Sequence, residues 1–190
     1  MASAPDYIEP TVAWRTWLVV EAEEGMRLSS VVYPTLWPPR RELEAACRHR
    51  RLSLRRPWRR RPTDHGAPEE RCRCGIYGTV HAGDAAGYFE GHVLVSEPHR
   101  WPLLRRAIGR VFLWGSVVEC EDGWRASLAY PERLFVPVPG EEDELASDAR
   151  EVADELAVYG VEVALLRRRT YEENALFDDR FRALLRHGAG

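Results

Sequence analysis

Positions 12 to 20 alternate, with Val12, Trp14, Thr16, Leu18 and Val20 on one side and Ala13, Arg15, Trp17 and Val19 on the other. A period of two predicts a strand, and apolar residues on both sides predict a sheet with two useful faces. Glu23-Glu24-Gly25 supplies a turn, and Met26 to Val32 reads as the returning strand. Pro38-Pro39 ends strand structure, and Pro39 is placed to open a short helix through Glu42 to Ala46. From Arg48 to Glu70 apolar residues are sparse (Leu52, Leu54, Trp58) and have no period, which predicts an irregular, partly mobile loop.

A second hairpin is expected over Arg110 to Tyr130. Asp122-Gly123 carries the residues of a type I′ turn, which needs positive φ at both central positions. That turn would set Glu121 opposite Trp124, Glu119 opposite Ala126, Val117 opposite Leu128 and Gly115 opposite Tyr130, the ring covering the glycine. Leu134-Phe135-Val136 reads as a further short strand and Pro137 to Gly140 as a linker.

Leu145, Ala149, Val152, Leu156 and Tyr159 recur at steps of four and three, the stripe of an amphipathic helix that Gly160 would stop. Val161 to Leu166 reads as a strand. Thr170 and Glu173 form a capping box for a last helix burying Phe177, Phe181, Leu184 and Leu185. Strands first, then helix–strand–helix, predict an α+β fold. Its antiparallel hairpins form a mixed sheet, with the unit at 141–188 packed on it in a single domain over 1–190.

Charge changes this picture locally. All 27 basic residues are arginine and the net charge is only −3, yet twelve arginines against five acids lie between Arg40 and Arg73. Arg50, Arg51, Arg55, Arg56, Arg59, Arg60 and Arg61 with Trp58 are the residue types that hold phosphate backbones and stack on unpaired bases. A solvated loop balanced by the acidic segment at 141–155 explains the same residues. Apolar and charged fractions of 45% and 30% are those of a folded globular chain. No run is long enough to span a bilayer, and the first residues lack a secretory pattern, so cytoplasmic location without a membrane partner is expected.

Three of the four cysteines cluster, as Cys47 and Cys72-Arg73-Cys74, with His49 and His65 between them. Cys47, His65, Cys72 and Cys74 make a Cys₃His set suited to tetrahedral zinc, which would pin both ends of a loop too poor in apolar residues to order itself. Arg71 and Arg73 would offset the thiolate charge, and Gly75 would allow the sharp turn a Cys-x-Cys pair requires. Reduced unliganded thiols, a redox pair, or a His65 that is only a solvated loop residue are the competing readings. Cys120 stands apart as a small filler, although the expected hairpin register sets it opposite Arg125, a neighbour that would favour its thiolate.

Seven tryptophans suggest core packing first, and second a ligand pocket from Trp37, Trp114, Trp124 and Glu119, the one acid in an apolar strand. No hydrolase elbow, zinc-protease helix, P-loop or dinucleotide fingerprint is present, so no catalytic residues are assigned. The segments Cys72-Arg-Cys-Gly-Ile-Tyr77, Leu113-Trp-Gly-Ser-Val-Val-Glu119, Gly123-Trp-Arg-Ala126 and Ala129-Tyr-Pro131 resemble a family of uncharacterised bacterial proteins. In that family a C…H…CxCGxY element precedes an LWGxVVE…GxRA…AYP hairpin. The resemblance covers about residues 30 to 165 and implies a shared fold and a purposeful Cys/His set, with no activity attached. This chain departs from it by the arginine-rich insertion between Cys47 and His65 and by Cys120. The expected function is a non-catalytic binding or adaptor module with a structural zinc and a protein partner. A nucleic-acid-binding accessory protein, a small-molecule reader with a tryptophan-lined pocket and an enzyme built around Glu119 follow in that order.

Overall fold

The computed structural model describes residues 6–47, 50–53, 56–62, 65–89, 103–138 and 143–187. Side chains at 6–8, 50–62, 89, 103–104, 143–146 and 185–187 lie outside the description. The architecture is α+β, a seven-stranded mixed sheet with helices packed on it.

Strand β1 (Asp6–Ala22) pairs antiparallel with β2 (Gly25–Ser30) through the predicted turn, Ala22 opposite Gly25. The proline-led segment does not become a helix. Leu43–Glu44 form a short strand, β3, on the edge of the sheet instead. The arginine-rich stretch also departs from expectation. Arg50–Ser53 (β4) and Arg56–Pro62 (β5) pair as a two-stranded sheet with Arg51 opposite Arg61, so backbone hydrogen bonding orders a segment with no apolar period. Arg55 lies outside the described residues.

Strand β6 (Ile76–Thr79) is followed by helix α1 (Ala82–Ala86), and the long strands β7 (Leu103–Cys120) and β8 (Gly123–Pro137) form the second hairpin. Its register is not the one the Asp-Gly pair suggests. Cys120 faces Gly123, Glu119 faces Trp124, Val117 faces Ala126 and Trp114 faces Leu128, so the turn residues are Glu121 and Asp122. Neither adopts positive φ. Gly123 is needed elsewhere. It lies against β6, and a Cβ there would fall 2.1 Å from the Gly78 carbonyl oxygen. Gly115 is likewise not covered by Tyr130. With φ +73 it sits in an irregularity between Trp114 and Val117, where a Cβ would meet Ser127 Oγ at 2.3 Å. The Ser127 hydroxyl accepts from Ser116 N at 3.0 Å there. The expected strand at 134–136 is the end of β8, and of the expected linker 139–140 lie outside the described residues.

Both β6 and β7 pair with β1 and with β8, so these four strands close on themselves. The closure is filled by small groups. A Cβ on Gly78 would stand 2.5 Å from that of Ala13 and 3.1 Å from Leu113 Cδ1.

Helix α2 (Asp143–Leu156) continues as a 3₁₀ turn to Tyr159 and stops at Gly160, whose φ of +69 is left-handed. It returns the chain to β9 (Glu162–Leu166), parallel to β8. The predicted capping box is not used. Thr170 lies inside helix α3 (Arg168–Glu173), and a separate helix α4 (Asp179–His187) is capped by Asp178, whose Oδ1 accepts from Phe181 N at 2.9 Å. Asp178 also accepts from Gly83 N at 2.8 Å, tying α4 to α1. Burial raises the Asp178 pKa, but these N–H donors outweigh it and leave the carboxyl below the usual range.

The residues of β1 serve three buried clusters, the smallest formed by Leu18 and Val20 with Val31. Trp17 packs with Trp37, Leu28, Val152, Leu156 and Tyr159 beneath α2, whereas Trp14 packs with Phe135, Phe177 and Phe181 beneath α1 and α4. The side chain of Leu145, from the predicted stripe, and that of Leu185 lie outside the described residues. Tyr159 locks the first core: its hydroxyl accepts from Leu28 N at 2.9 Å and donates to the Trp37 carbonyl at 2.8 Å.

Burial pushes the Tyr159 phenol up to about 12, above the value of about 10 in an unfolded chain. Between these values only the unfolded state has lost the proton, so stability falls as pH rises. Its contribution is complete below about pH 10 and gone above about pH 12. Tyr159→Phe should cost about 1–3 kcal/mol at neutral pH, because a buried N–H and C=O lose their partner. It should also flatten the alkaline decline of stability, measured by denaturant unfolding at neutral and alkaline pH.

Candidate metal centre

The segment between β5 and β6 has too little apolar surface to hold a shape by burial alone, so its order comes from polar contacts. Cys72 N donates to the Glu69 carbonyl at 2.9 Å, closing a turn. The chain then reverses at Gly75, where φ is +120 and a Cβ would come within 3.0 Å of both Arg125 Cβ and Pro68 Cβ. This turn leaves the Cys72 and Cys74 sulfurs within 4.8 Å of each other, closer than alternate positions of an extended strand would hold them. Cys47, just after β3, and His65 complete the group.

The ligating atoms of Cys47, His65, Cys72 and Cys74 all lie within 4.8 Å of one another, and such a cluster could hold a metal ion. Cys47 Sγ stands 3.8 Å from Cys72 Sγ and 3.5 Å from His65 Nε2. His65 Nδ1 is 2.8 Å from the Gly66 carbonyl. A carbonyl can only accept, so Nδ1 carries the proton and Nε2 keeps its lone pair, the tautomer a metal ligand needs. Cys74 is buried, and the other three are partly buried. Burial pushes the Cys74 thiol up to about 11, with the neighbouring Cys72 and Cys47 sulfurs adding to it. The thiol therefore keeps its proton at neutral pH until a cation displaces it, and metal binding should release protons and strengthen as pH rises.

Arg125 on β8, which the sequence brought in only as a neighbour of Cys120, holds the loop that carries the cluster. It is 6% exposed, and its Nη1 donates to the carbonyls of Cys74 at 2.9 Å and Glu69 at 3.4 Å, and to that of Cys72. Its Nε donates to Cys120 Sγ at 3.3 Å. One side chain thus gathers the backbone around two of the four candidate ligands. Arg71 and Arg73, expected to balance the thiolates, are exposed instead. The signal available in the sequence was weak: an arginine on an inward strand position beside a cysteine.

The four residues expected to line a tryptophan pocket lie in different surroundings. Trp37 is in the core, 5.4 Å from Trp17 in an edge-on arrangement, with Nε1 donating to Ser30 Oγ at 3.0 Å. Trp114 and Trp124 are partly buried, Trp124 against the first core, and Glu119 is exposed opposite Trp124. A cavity of about 450 Å³ does exist, but its described lining includes none of these four. Of the nucleic-acid candidates, Arg50, Arg51, Arg56, Trp58, Arg59, Arg60 and Arg61 lie on β4 and β5, their side chains outside the description.

Comparison with protein-family models, with curated proteins and with solved structures finds no match for this chain. No described helix is long and apolar enough to cross a membrane. What the protein does is therefore read from its own geometry.

Removing the Arg125 guanidinium should loosen the loop before it disturbs the sheet. Arg125→Met is expected to weaken metal binding about ten- to hundred-fold, the usual consequence of losing a residue that orients ligands. Titration against a chromophoric chelator measures this, with circular dichroism confirming that the strands persist.

Proposed function

We propose that Cys47, His65, Cys72 and Cys74 bind one Zn²⁺ as a structural centre, and that the protein is a non-catalytic binding module whose central loop this ion organises. The observation that carries the reading is the spacing of the donor atoms. Around a tetrahedral zinc with sulfur at about 2.3 Å and nitrogen at about 2.0–2.1 Å, two sulfurs stand about 3.8 Å apart and a sulfur and a nitrogen about 3.5 Å. The Cys47–Cys72 and Cys47–His65 separations are 3.8 and 3.5 Å. Soft thiolates disfavour calcium and magnesium, and three sulfurs with one imidazole suit zinc.

Four protein ligands complete a tetrahedron and leave no open position for water or substrate, which favours a structural over a catalytic ion. Three thiolates and a neutral imidazole around a divalent ion leave one net negative charge, and buried Arg125 behind the loop is placed to balance it.

A nucleic-acid reading is favoured by one observation, the β4–β5 register. It sets Arg51 directly across from Arg61, a like-charged pair that an isolated hairpin does not favour and that a bound polyanion would relieve.

Protein purified without chelator should contain about one zinc per chain. A metal held at about 100 times its Kd stabilises by about 2.7 kcal/mol, so chelation should lower Tm by roughly 5–10 °C. Absence of zinc, or zinc retained when Cys72 and Cys74 are both changed to Ser, would overturn the centre. For the second reading, oligonucleotide binding should fall steeply with salt and vanish when Arg56, Arg59, Arg60 and Arg61 are replaced together by Ser. An absence of binding at low salt removes it.

A further inference from the structure

The cavity owes its existence to a break in strand pairing. Along one edge of β1, Trp14 pairs with Thr79 of β6, and pairing resumes only at Trp17 with Ser30 of β2. Arg15 and Thr16 therefore have no strand beside them on that edge, and the gap opens into a space of about 450 Å³. That size falls within the range of about 300–1,000 Å³ typical of small-molecule sites. Aromatic groups line it, among them Trp14, Tyr33, Tyr77 and Tyr88, and the last two are exposed at 44% and 39%.

The charge in this cavity is unbalanced. The Arg15 guanidinium donates to the Tyr77 carbonyl and, at 3.3 Å, to Ser30 Oγ, with its Cζ 5.2 Å from the Trp37 ring centre. Its Nε is buried without a partner, and no described carboxylate pairs with it. The one acid in the described lining, Glu44, is exposed, and the other cation, Arg73, is also exposed. Burial lowers the Arg15 pKa to about 10, so it remains charged at neutral pH. A partly desolvated charge whose described neighbours are a carbonyl, a hydroxyl and an aromatic ring, with no carboxylate, is a costly arrangement in a resting protein, and a bound anion would compensate it. The guanidinium fork matches a carboxylate, and the surrounding rings match a flat apolar body.

We propose that this cavity binds a small aromatic carboxylic acid, its carboxylate on Arg15 and its ring system among Tyr33, Tyr77 and Tyr88. The proposal rests on the reading of the protein as a binding module and gives that module a ligand class. It does not depend on which metal occupies the cluster. The cluster matters to it only through the loop, because Arg73, Cys74 and Gly75 form part of the wall.

The test is calorimetric titration of the metal-replete protein with benzoate, 2-naphthoate and indole-3-acetate, each beside its neutral primary amide. At least one acid should bind at millimolar concentration or below, and its amide should bind about ten-fold or more weakly, as expected where a site is built for the charged group. Arg15→Met should reduce the acid to the affinity of the amide, with circular dichroism and zinc content unchanged. Should that variant not fold, Arg15→Lys keeps the charge but loses the fork, and should weaken the acid while leaving the amide as it was. Acids and amides binding alike, or no acid binding the native protein, overturns the proposal. Zinc measured on the same samples separates the two readings: acid binding without zinc defeats the metal centre alone, and zinc without acid binding defeats the cavity alone.

Discussion

Strand β6 is four residues long, and the positions of both candidate sites follow from how closely it can approach its neighbours. Gly78 faces Ala13 and Leu113, and the backbone at Gly78–Thr79 presses on Gly123 of β8, with separations that leave no room for a Cβ at either glycine. Two missing methyl groups thus let four strands close into a ring whose interior is filled by small and branched residues. A larger residue at either place would push β6 outward, undoing the single pairing of Trp14 with Thr79 that completes the ring.

The same short strand connects the metal loop to the cavity. Reading outward from Gly78, the Tyr77 carbonyl receives Arg15 and its ring lies at the cavity rim, Ile76 enters the core, Gly75 turns the chain, and Cys74 joins the cluster. Any force that orders the 65–74 loop therefore also fixes one wall of the cavity. Arg125 strengthens the link, since it binds the loop carbonyls on one side while its guanidinium lies 5.9 Å from the Tyr77 ring centre on the other. The candidate metal cluster and the cavity depend on each other because the five residues from Cys74 to Gly78 join them, with Cys74 belonging to both.

Much of this was legible in the residues where one interaction dominates. The alternation through Val12 to Val20 and the stripe through Ala149, Val152, Leu156 and Tyr159 are burial patterns, and burial follows them. The Cys/His set was legible because ligand chemistry depends on residue type. Misreadings arose where two demands met at one residue. Asp122-Gly123 has the composition of a turn, but the glycine serves the crowding against β6, and the register moves by one residue on each strand. Thr170 and Glu173 have the spacing of a capping box, but Arg168 and Arg169 engage Glu172 and Glu173 at 3.1 Å, and Asp178 supplies the cap that α4 uses. The hairpin at β4–β5 left no periodic trace, because its order is in backbone pairing rather than in a buried face.

Arg15 and Arg125 were the least legible, and the contrast between them is instructive. Each is an inward-pointing arginine on a central strand with no described carboxylate partner, the arrangement sequence patterning treats as an error. At Arg125 both Nε and Nη1 are engaged by loop carbonyls and a sulfur, so the dipoles of a folded loop stand in for a counter-ion. At Arg15 the Nε has no partner and the side chain borders an aromatic-lined space. A buried charge whose donors are met inside the protein organises structure. A partly buried one that keeps an unmet Nε and no described counter-ion beside a cavity is placed to meet something that arrives from outside.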